Sequence, residues 1–189
     1  MTLSVLAVGP DRLADLDALF GTNKTTAGCR CMWFILRAKD CSAGWGAGNR
    51  AALASLASSA PEPIGLLAYR DDEPVGWCAA GPRSRYTRAL GIPTLKQRDP
   101  AEDDDVWLVS CFFVRTDARR SGVTVALLEG AVELARSFGA TAVEGFPLSG
   151  DGRRSAGDAF VGVEPLFDRC GFAPIRRPTD KRVIMRRDL

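Results

Sequence analysis

A basic segment that contains one glycine, Arg119-Arg120-Ser121-Gly122-Val123-Thr124, has the residue types of an anion-binding loop. It follows an apolar run and precedes an amphipathic one, which places it between a strand and the start of a helix. The unpaired N–H groups and the dipole of a helix N-terminus both favour a phosphate there. Gly122 lets the main chain approach the ligand with no Cβ atom in the way. The segment is therefore expected to bind a phosphate-bearing molecule.

The elements around this loop form a strand, helix and strand series. Residues 106–114 are apolar almost without alternation, as expected of a strand covered on both faces. Val123, Leu127, Ala131, Leu134 and Phe138 form one stripe of the following helix, which Gly139 should end. Residues 141–147 form the next strand. Such a crossover is right-handed, so the two strands should lie parallel.

The other predicted elements are simpler to state. Residues 64–70 and 74–80 predict the clearest hairpin, joined by a short polar turn. Asn49 is expected to cap a helix over 50–57. The stretch 83–105 is long, charged and irregular, which is typical of a functional or disordered loop. The remaining elements are a strand at 1–8, a helix at 10–20, a short helix at 163–171 and closing strands at 172–176 and 182–187.

Composition limits the classes of partner. The chain has 189 residues, with 25 Lys and Arg against 23 Asp and Glu. This length suits one domain over 1–189, and a net charge of +2 makes no electrostatic case for nucleic acid or an anionic membrane. The first residues lack a signal-peptide pattern, and no run reaches the roughly 18 apolar residues of a membrane span. We therefore expect a cytoplasmic protein with no nucleic-acid or membrane partner.

The six cysteines are expected to be free thiols. Without an export signal a reducing compartment is favoured, and Cys78, Cys111 and Cys170 stand in apolar contexts. Cys29-x-Cys31 with Cys41 suggests a metal site, but the chain has no histidine and no second Cys-x-x-Cys to complete it. No metal is predicted.

These signals together resemble the GNAT superfamily, the acyl-CoA-dependent N-acyltransferases. Arg119-x-x-Gly122-x-Thr124 is similar to the Gln/Arg-x-x-Gly-x-Gly/Ala signature of that superfamily, with Thr124 departing at the last position. Phe167-Asp-Arg-Cys-Gly171-Phe172 is similar to the Tyr-x-x-x-Gly-Phe that commonly ends its last helix. The resemblance covers residues 62–188 and is poor over 20–62.

The resemblance implies an α/β (α+β) fold. Its sheet is mixed and mostly antiparallel, with flanking helices and a parallel central strand pair that splays apart. The pantetheine arm of acetyl-CoA would enter where 106–115 parts from 141–147, because amides that leave the ladder need other partners. The coenzyme-binding core would span about 106–172. Regions 20–62 and 83–105 would set the acceptor specificity.

The resemblance also implies a set of coenzyme-binding residues. Main-chain groups of the central strand would bond the pantetheine arm, and the loop would hold the pyrophosphate. Phe167 stands where many members have a tyrosine that protonates the departing thiolate, and phenylalanine has no such proton. The expected coenzyme-binding residues are Phe112, Phe113, Val114, Arg119, Arg120, Ser121, Gly122, Val123, Thr124 and Phe167.

The implied reaction is direct attack of an amine on the thioester of acetyl-CoA in a ternary complex. Glu144 is the first candidate for the base, because desolvation in an apolar strand would raise the pKa of its carboxyl. The alternative is pairing of Glu144 with a nearby arginine. Ser110 and Cys111 are further candidates, with strand packing as their alternative.

The acceptor is left open as a small-molecule or protein amine, and a homodimer as one open assembly. Five large aromatic residues are candidates to line the acceptor pocket, with the protein core as the alternative: Trp33, Trp45, Trp77, Tyr86 and Trp107. Two other functions stay open. One is an inactive acyl-CoA sensor or partner domain. The other is a different nucleotide binder, against which the absence of Gly-Lys-Ser/Thr argues.

Overall fold

The computed structural model describes residues 2–150 and 159–189. Its strands are β1 (Leu3–Ala7), β2 (Gly65–Arg70), β3 (Glu73–Pro82), β4 (Val106–Val114), β5 (Ala142–Gly145), β6 (Ala173–Thr179) and β7 (Arg182–Asp188). They form one sheet in the order β1-β2-β3-β4-β5-β7-β6. The pair of β4 and β5 is parallel, and the other neighbours are antiparallel. The predicted mixed, mostly antiparallel α/β sheet is confirmed.

Helices flank this sheet. They are α1 (Leu13–Gly21), α2 (Lys24–Cys29), α3 (Ala38–Ala43), α4 (Ala47–Ser59), α5 (Thr87–Leu90), α6 (Val123–Ser137) and α7 (Glu164–Arg169). Among the described helices, none has the length and apolarity that crossing a bilayer requires.

The long helix α6 covers the middle of the sheet. Its predicted stripe is largely confirmed, because Val123, Leu127 and Ala131 are buried in the core. Phe138 lies just past the helix and is 48% exposed, with its ring against Trp107. Gly139 follows with a φ of +77°, a conformation that glycine adopts without strain. Burial of the stripe fixes how α6, and the loop before it, sit on the sheet.

The central strands part after four residue pairs. β4 and β5 pair from Val106 with Ala142 to Val109 with Gly145. Beyond that point β4 continues beside β3 alone, while the chain after β5 bonds to residues 162–164. Ser110 is an extra residue in β4, since Ala79 faces Cys111 and Ala80 faces Val109. Bulges of this kind occur next to active sites and redirect the strand. The sheet therefore opens at Ser110.

Asn49 was predicted as a helix cap, and this was wrong. It lies inside α4, is fully buried, and its Nδ2 donates to the carbonyls of Gly28 and Cys41 at 3.0 Å each. The helix begins earlier, at Ala47, after a glycine-rich turn. The side-chain amide of Asn49 instead links α2, α3 and α4, because the buried carbonyls of Gly28 and Cys41 need hydrogen-bond donors.

The stretch 83–105 is more ordered than its sequence indicates. It contains 3-10 turns at Arg83–Arg85 and Pro100–Glu102, with α5 between them. Arg83 is 1% exposed and donates to Asp103, Glu144 and the carbonyl of Asp99. This one buried guanidinium ties the loop to the sheet.

Candidate functional site

One cavity opens at the loop before α6. It has a volume of about 420 Å³ and lies between the end of β4, the first turn of α6 and α7. We call it the loop cavity. Six of the residues predicted to bind the coenzyme line it: Val114, Arg119, Arg120, Gly122, Val123 and Thr124.

The loop presents unpaired N–H groups. Arg120 and Gly122 both have positive φ, at 60° and 85°. The first helical bond of α6 runs from the N–H of Ala126 to the carbonyl of Gly122 at 3.0 Å. The N–H groups of 120–125 donate to no other main-chain group in the part of the chain that the structure describes. A run of this kind forms a concave site for an anion.

Ser121 acts inside the loop. Its hydroxyl donates to the carbonyl of Ala118 at 2.7 Å and accepts from Nη2 of Arg70 at 2.6 Å. Its side chain does not line the loop cavity. The side chain of Ser121 therefore holds the turn. Binding of the coenzyme by Ser121 stays a prediction.

Three arginines and no carboxylate are found among the described residues that line the loop cavity. They are Arg119, Arg120 and Arg169. Nε of Arg119 donates to the carbonyl of Val114 at 3.2 Å, and within the described ranges none of the three pairs with a carboxylate. Sequence reasoning missed Arg169, which stands on α7 inside the Phe167–Phe172 motif. Unpaired guanidinium groups around a concave set of N–H groups suit a polyphosphate.

A second cavity, of about 510 Å³, lies on the other side of Arg119, which lines both. We call it the aromatic cavity. Its rings belong to Trp33, Phe34, Trp45, Phe112, Phe113 and Phe160. Phe112 and Phe113 come from β4 directly after the bulge. The sequence left five aromatic residues open between pocket and core. Trp33 and Trp45 line this cavity, whereas Trp77, Tyr86 and Trp107 are buried in the core.

Thiols form one wall of the aromatic cavity. Cys29, Cys31 and Cys111 line it, and Sγ of Cys31 lies 3.4 Å from Sγ of Cys111. The hydrogen bond to Cys111 and burial raise the pKa of Cys31, and burial raises the pKa of Cys29 to about 11. All six cysteines are free. The described residues contain no cluster of three potential metal ligands.

Glu144 lies away from both cavities. It is 3% exposed, and its carboxylate accepts from Nη1 of Arg83 at 2.8 Å and from Nη1 of Arg186 at 3.1 Å. The alternative raised from the sequence, that Glu144 pairs with a nearby arginine, is the one the structure shows. Ser110 is fully buried beside Tyr86 and also lines neither cavity. Of the three catalytic candidates, Cys111 alone reaches a cavity.

Phe167 packs beside Gly145, at the point where β4 and β5 part. Its ring is fully buried, edge-on to Phe112 and Phe172. A Cβ atom on Gly145 would lie 2.3 Å from this ring, and one on Gly162 would lie 2.8 Å from it. Phe167 lines neither cavity, so it shapes the opening through its packing.

The match to a family model decides the identity of the fold. Residues 31–148 match the model of the acetyltransferase (GNAT) family, which is more than half of the chain. The chain belongs to the GNAT family. Members of this family are acyl-CoA-dependent N-acyltransferases, and the chain is an enzyme of that class. No curated protein matches the chain significantly.

Solved GNAT structures share the fold over the whole chain. The GNAT domain of PAT from S. lividans is 18% identical, with all of this chain and 92% of that one covered, at a TM-score of 0.56. The paia N-acetyltransferase of Thermoplasma acidophilum, in complex with coenzyme A, is 11% identical over 100% of both chains, at 0.56. The structure of yncA of Salmonella typhimurium, with its cofactor acetyl-CoA, is 13% identical, with 100% of this chain and 95% of that one covered, at a TM-score of 0.58.

Proposed function

We propose that the protein transfers an acetyl group from acetyl-CoA to an amine, with the diphosphate in the loop cavity and the amine in the aromatic cavity. The observation that carries this proposal is that Arg119 lines both cavities, at the end of the stretch of β4 that has left β5. Two of the structural neighbours have coenzyme A or acetyl-CoA bound, which supports the coenzyme assignment.

The chain's own groups would position the coenzyme. The N–H groups of 120–125 and the three arginines would bind the phosphates. The pantetheine arm would follow β4 from Val114 towards Phe112, where main-chain groups past the bulge are freed from β5. An N–H in that stretch would donate to the thioester oxygen as its negative charge develops. The amine, held against the rings, would then attack the carbonyl carbon.

Turnover separates this enzyme from an inactive acyl-CoA-binding domain. The purified protein is incubated with acetyl-CoA, with and without an amine panel, and thiol release is followed with a thiol reagent. We expect amine-dependent release. Acetyl-CoA binding without release for any amine would favour the inactive domain, which the loss of a tyrosine at Phe167 would permit.

Cys111 is the group we propose as the proton donor to the departing thiolate. We expect Cys111→Ala to lower kcat by about 10–100-fold, in the range of general acid catalysis. The dissociation constant for acetyl-CoA should stay unchanged, because Cys111 does not line the loop cavity. Cys170→Ala removes a buried thiol that lines neither cavity and is the control. Unchanged kcat in Cys111→Ala would remove this residue from the mechanism.

A further inference from the structure

Among the residues that the structure describes, none offers an anionic group to a substrate in the aromatic cavity. The described lining contains six aromatic rings, three thiols and the polar side chains of Asn23, Thr25 and Thr26, and no Asp or Glu. Arg119 is the charged residue of this described lining, and it carries a positive charge. An acceptor that arrives as an ammonium ion would meet the cation of Arg119 and no described carboxylate to offset its desolvation. The cavity therefore favours an uncharged acceptor.

Apart from Cys111, which is proposed as the proton donor, the described lining also lacks a group that could take a proton from an ammonium ion at neutral pH. The chain contains no histidine. Glu144 is bound between Arg83 and Arg186 outside the cavity. Burial raises the pKa of Cys29, and the hydrogen bond to Cys111 together with burial raises the pKa of Cys31, so both thiols stay protonated at neutral pH. An acceptor that is already neutral needs no such base.

We infer that the acceptor is an arylamine, a primary amine attached directly to an aromatic ring. This inference rests on the proposed acetyl transfer and deepens it. The nitrogen lone pair of an arylamine is delocalised into the ring, so the amine is weakly basic and uncharged at neutral pH. A volume of about 510 Å³ is within the range of small-molecule sites, and rings and thiols both make favourable contacts with an aromatic substrate.

The two tryptophans at the rim are held in place by the fold. The indole of Trp45 lies against Gly28, where a Cβ atom would come within 1.9 Å of Nε1 of Trp45. The guanidinium of Arg88 stacks 3.6 Å from the ring centroid of Trp33 and donates to the Trp33 carbonyl at 2.7 Å. Their exposed fractions are 51% and 38%. These fixed rings form a preorganised aromatic entrance, which lowers the entropic cost of binding a flat substrate.

The transfer balances without an added base. The arylamine nitrogen forms a bond to the acetyl carbonyl carbon, and the bond between that carbon and the coenzyme sulfur breaks. The coenzyme thiolate takes a proton from Cys111. The Cys111 thiolate then takes the proton that the nitrogen loses as it becomes an amide. The products are an N-acetylarylamine and coenzyme A with a free thiol, so atoms and charge are conserved.

Two isomers test the inference. 4-Methylaniline and benzylamine have the same formula, but the first is neutral and the second is protonated at neutral pH. We expect kcat/KM at pH 7 to be at least about tenfold higher for 4-methylaniline. Its kcat/KM should stay flat between pH 6.5 and 8.5, whereas that of benzylamine should rise with pH. Equal values for the two amines, or turnover of peptides or polyamines alone, would overturn the inference and leave the proposed acetyl transfer intact.

A binding measurement keeps this test independent of turnover. Quenching of tryptophan fluorescence by 4-methylaniline should report binding to the protein without coenzyme. Trp45→Ala should weaken that binding, and Trp45→Phe should retain it, because a ring remains. Acetyl-CoA affinity should be the same in both variants. Failure of acetyl-CoA to bind the wild type would refute the proposed function, whereas absent arylamine binding would refute the acceptor class.

Discussion

At the scale of single residues, the buried charges have a structural task. Arg83 and Glu144 are 1% and 3% exposed and pair at 2.8 Å, with Asp103 and Arg186 as further partners. Their desolvation is costly, and several hydrogen bonds are needed to offset it. Burial opposes ionisation of Asp103, but its bonds to Arg98 and Arg83 outweigh this and lower its pKa. The network stabilises the join between the 83–105 stretch and the sheet.

Replacing Glu144 tests this task. Glu144→Gln leaves Arg83 without one of its buried carboxylates, and we expect the free energy of unfolding to fall by about 3 kcal/mol. Urea unfolding at neutral pH measures the loss. A base would behave differently, since Glu144→Gln would then lower kcat and keep the stability.

The matched control for this change is Glu102→Gln. Glu102 belongs to the same network through Arg186 and Arg83, but its side chain is 38% exposed. Exposed pairs contribute about 0–1 kcal/mol, so the control should unfold close to the wild type. Equal stability of Glu144→Gln and the wild type would contradict the structural account and return Glu144 to the catalytic candidates.

At the scale of elements, α7 is fixed at its first residue. Glu164 accepts a hydrogen bond from the N–H of Gly150 at 2.8 Å and another from Nη1 of Arg177, in β6, at 3.2 Å. The bond from Arg177 is the largest cause that lowers the pKa of Glu164, from 4.5 to about 2. Because α7 carries Arg169 and walls the loop cavity, this one carboxylate links the closing strands to the site.

The lowered pKa makes a pH-dependent prediction. The stabilisation from ionised Glu164 is fully present above the unfolded-state pKa of 4.5, and it is lost as the pH falls through the folded-state value of about 2. We expect wild type to be more stable than Glu164→Gln at neutral pH, and the difference to shrink between about pH 5 and pH 2. Unfolding curves across that range measure it. Glu133→Gln on α6 controls for charge, and a constant difference would refute the prediction.

The elements differ in how well the sequence predicts them. The β2-β3 hairpin, β4 and α6 follow from local patterns. The hairpin has a short polar turn between two apolar runs, β4 is a continuous apolar run, and α6 has an apolar stripe with the helical period. The bounds of α2 and α3 and the task of Asn49 were not predicted. These features depend on contacts between distant segments, such as those of the Asn49 amide with Gly28 and Cys41. Local sequence patterns do not predict such contacts.

At the scale of the whole molecule, the fold brings two unlike cavities together. The loop cavity is cationic and has free N–H groups, whereas the described lining of the aromatic cavity consists mainly of aromatic rings and thiols and has one cation, Arg119, at the junction. The first is drawn from β4, α6 and α7, the second mainly from residues 23–45 and β4. A phosphate-bearing donor would bind in the loop cavity and an uncharged acceptor in the aromatic cavity, with Arg119 between them.

The candidate site shows the same division between local and distant information. Arg119, Arg120, Gly122 and Thr124 were predicted because they are contiguous and their task follows from main-chain geometry. Arg169 and Phe160 were missed, since only folding brings them to the cavities. Glu144 was selected for its burial, but burial alone does not distinguish a catalytic carboxylate from a paired one.

Two glycines that frame α6 provide the most direct measurement of the central claim. Gly122 and Gly139 have φ of +85° and +77°, and an added Cβ at either meets nothing within 4 Å. Leucine at either position therefore strains the backbone alike, but only at Gly122 does it enter the loop cavity. Calorimetry should show 1:1 acetyl-CoA binding by wild type and Gly139→Leu, and none by Gly122→Leu. Equal binding by the two variants, or none by the wild type, would contradict the account.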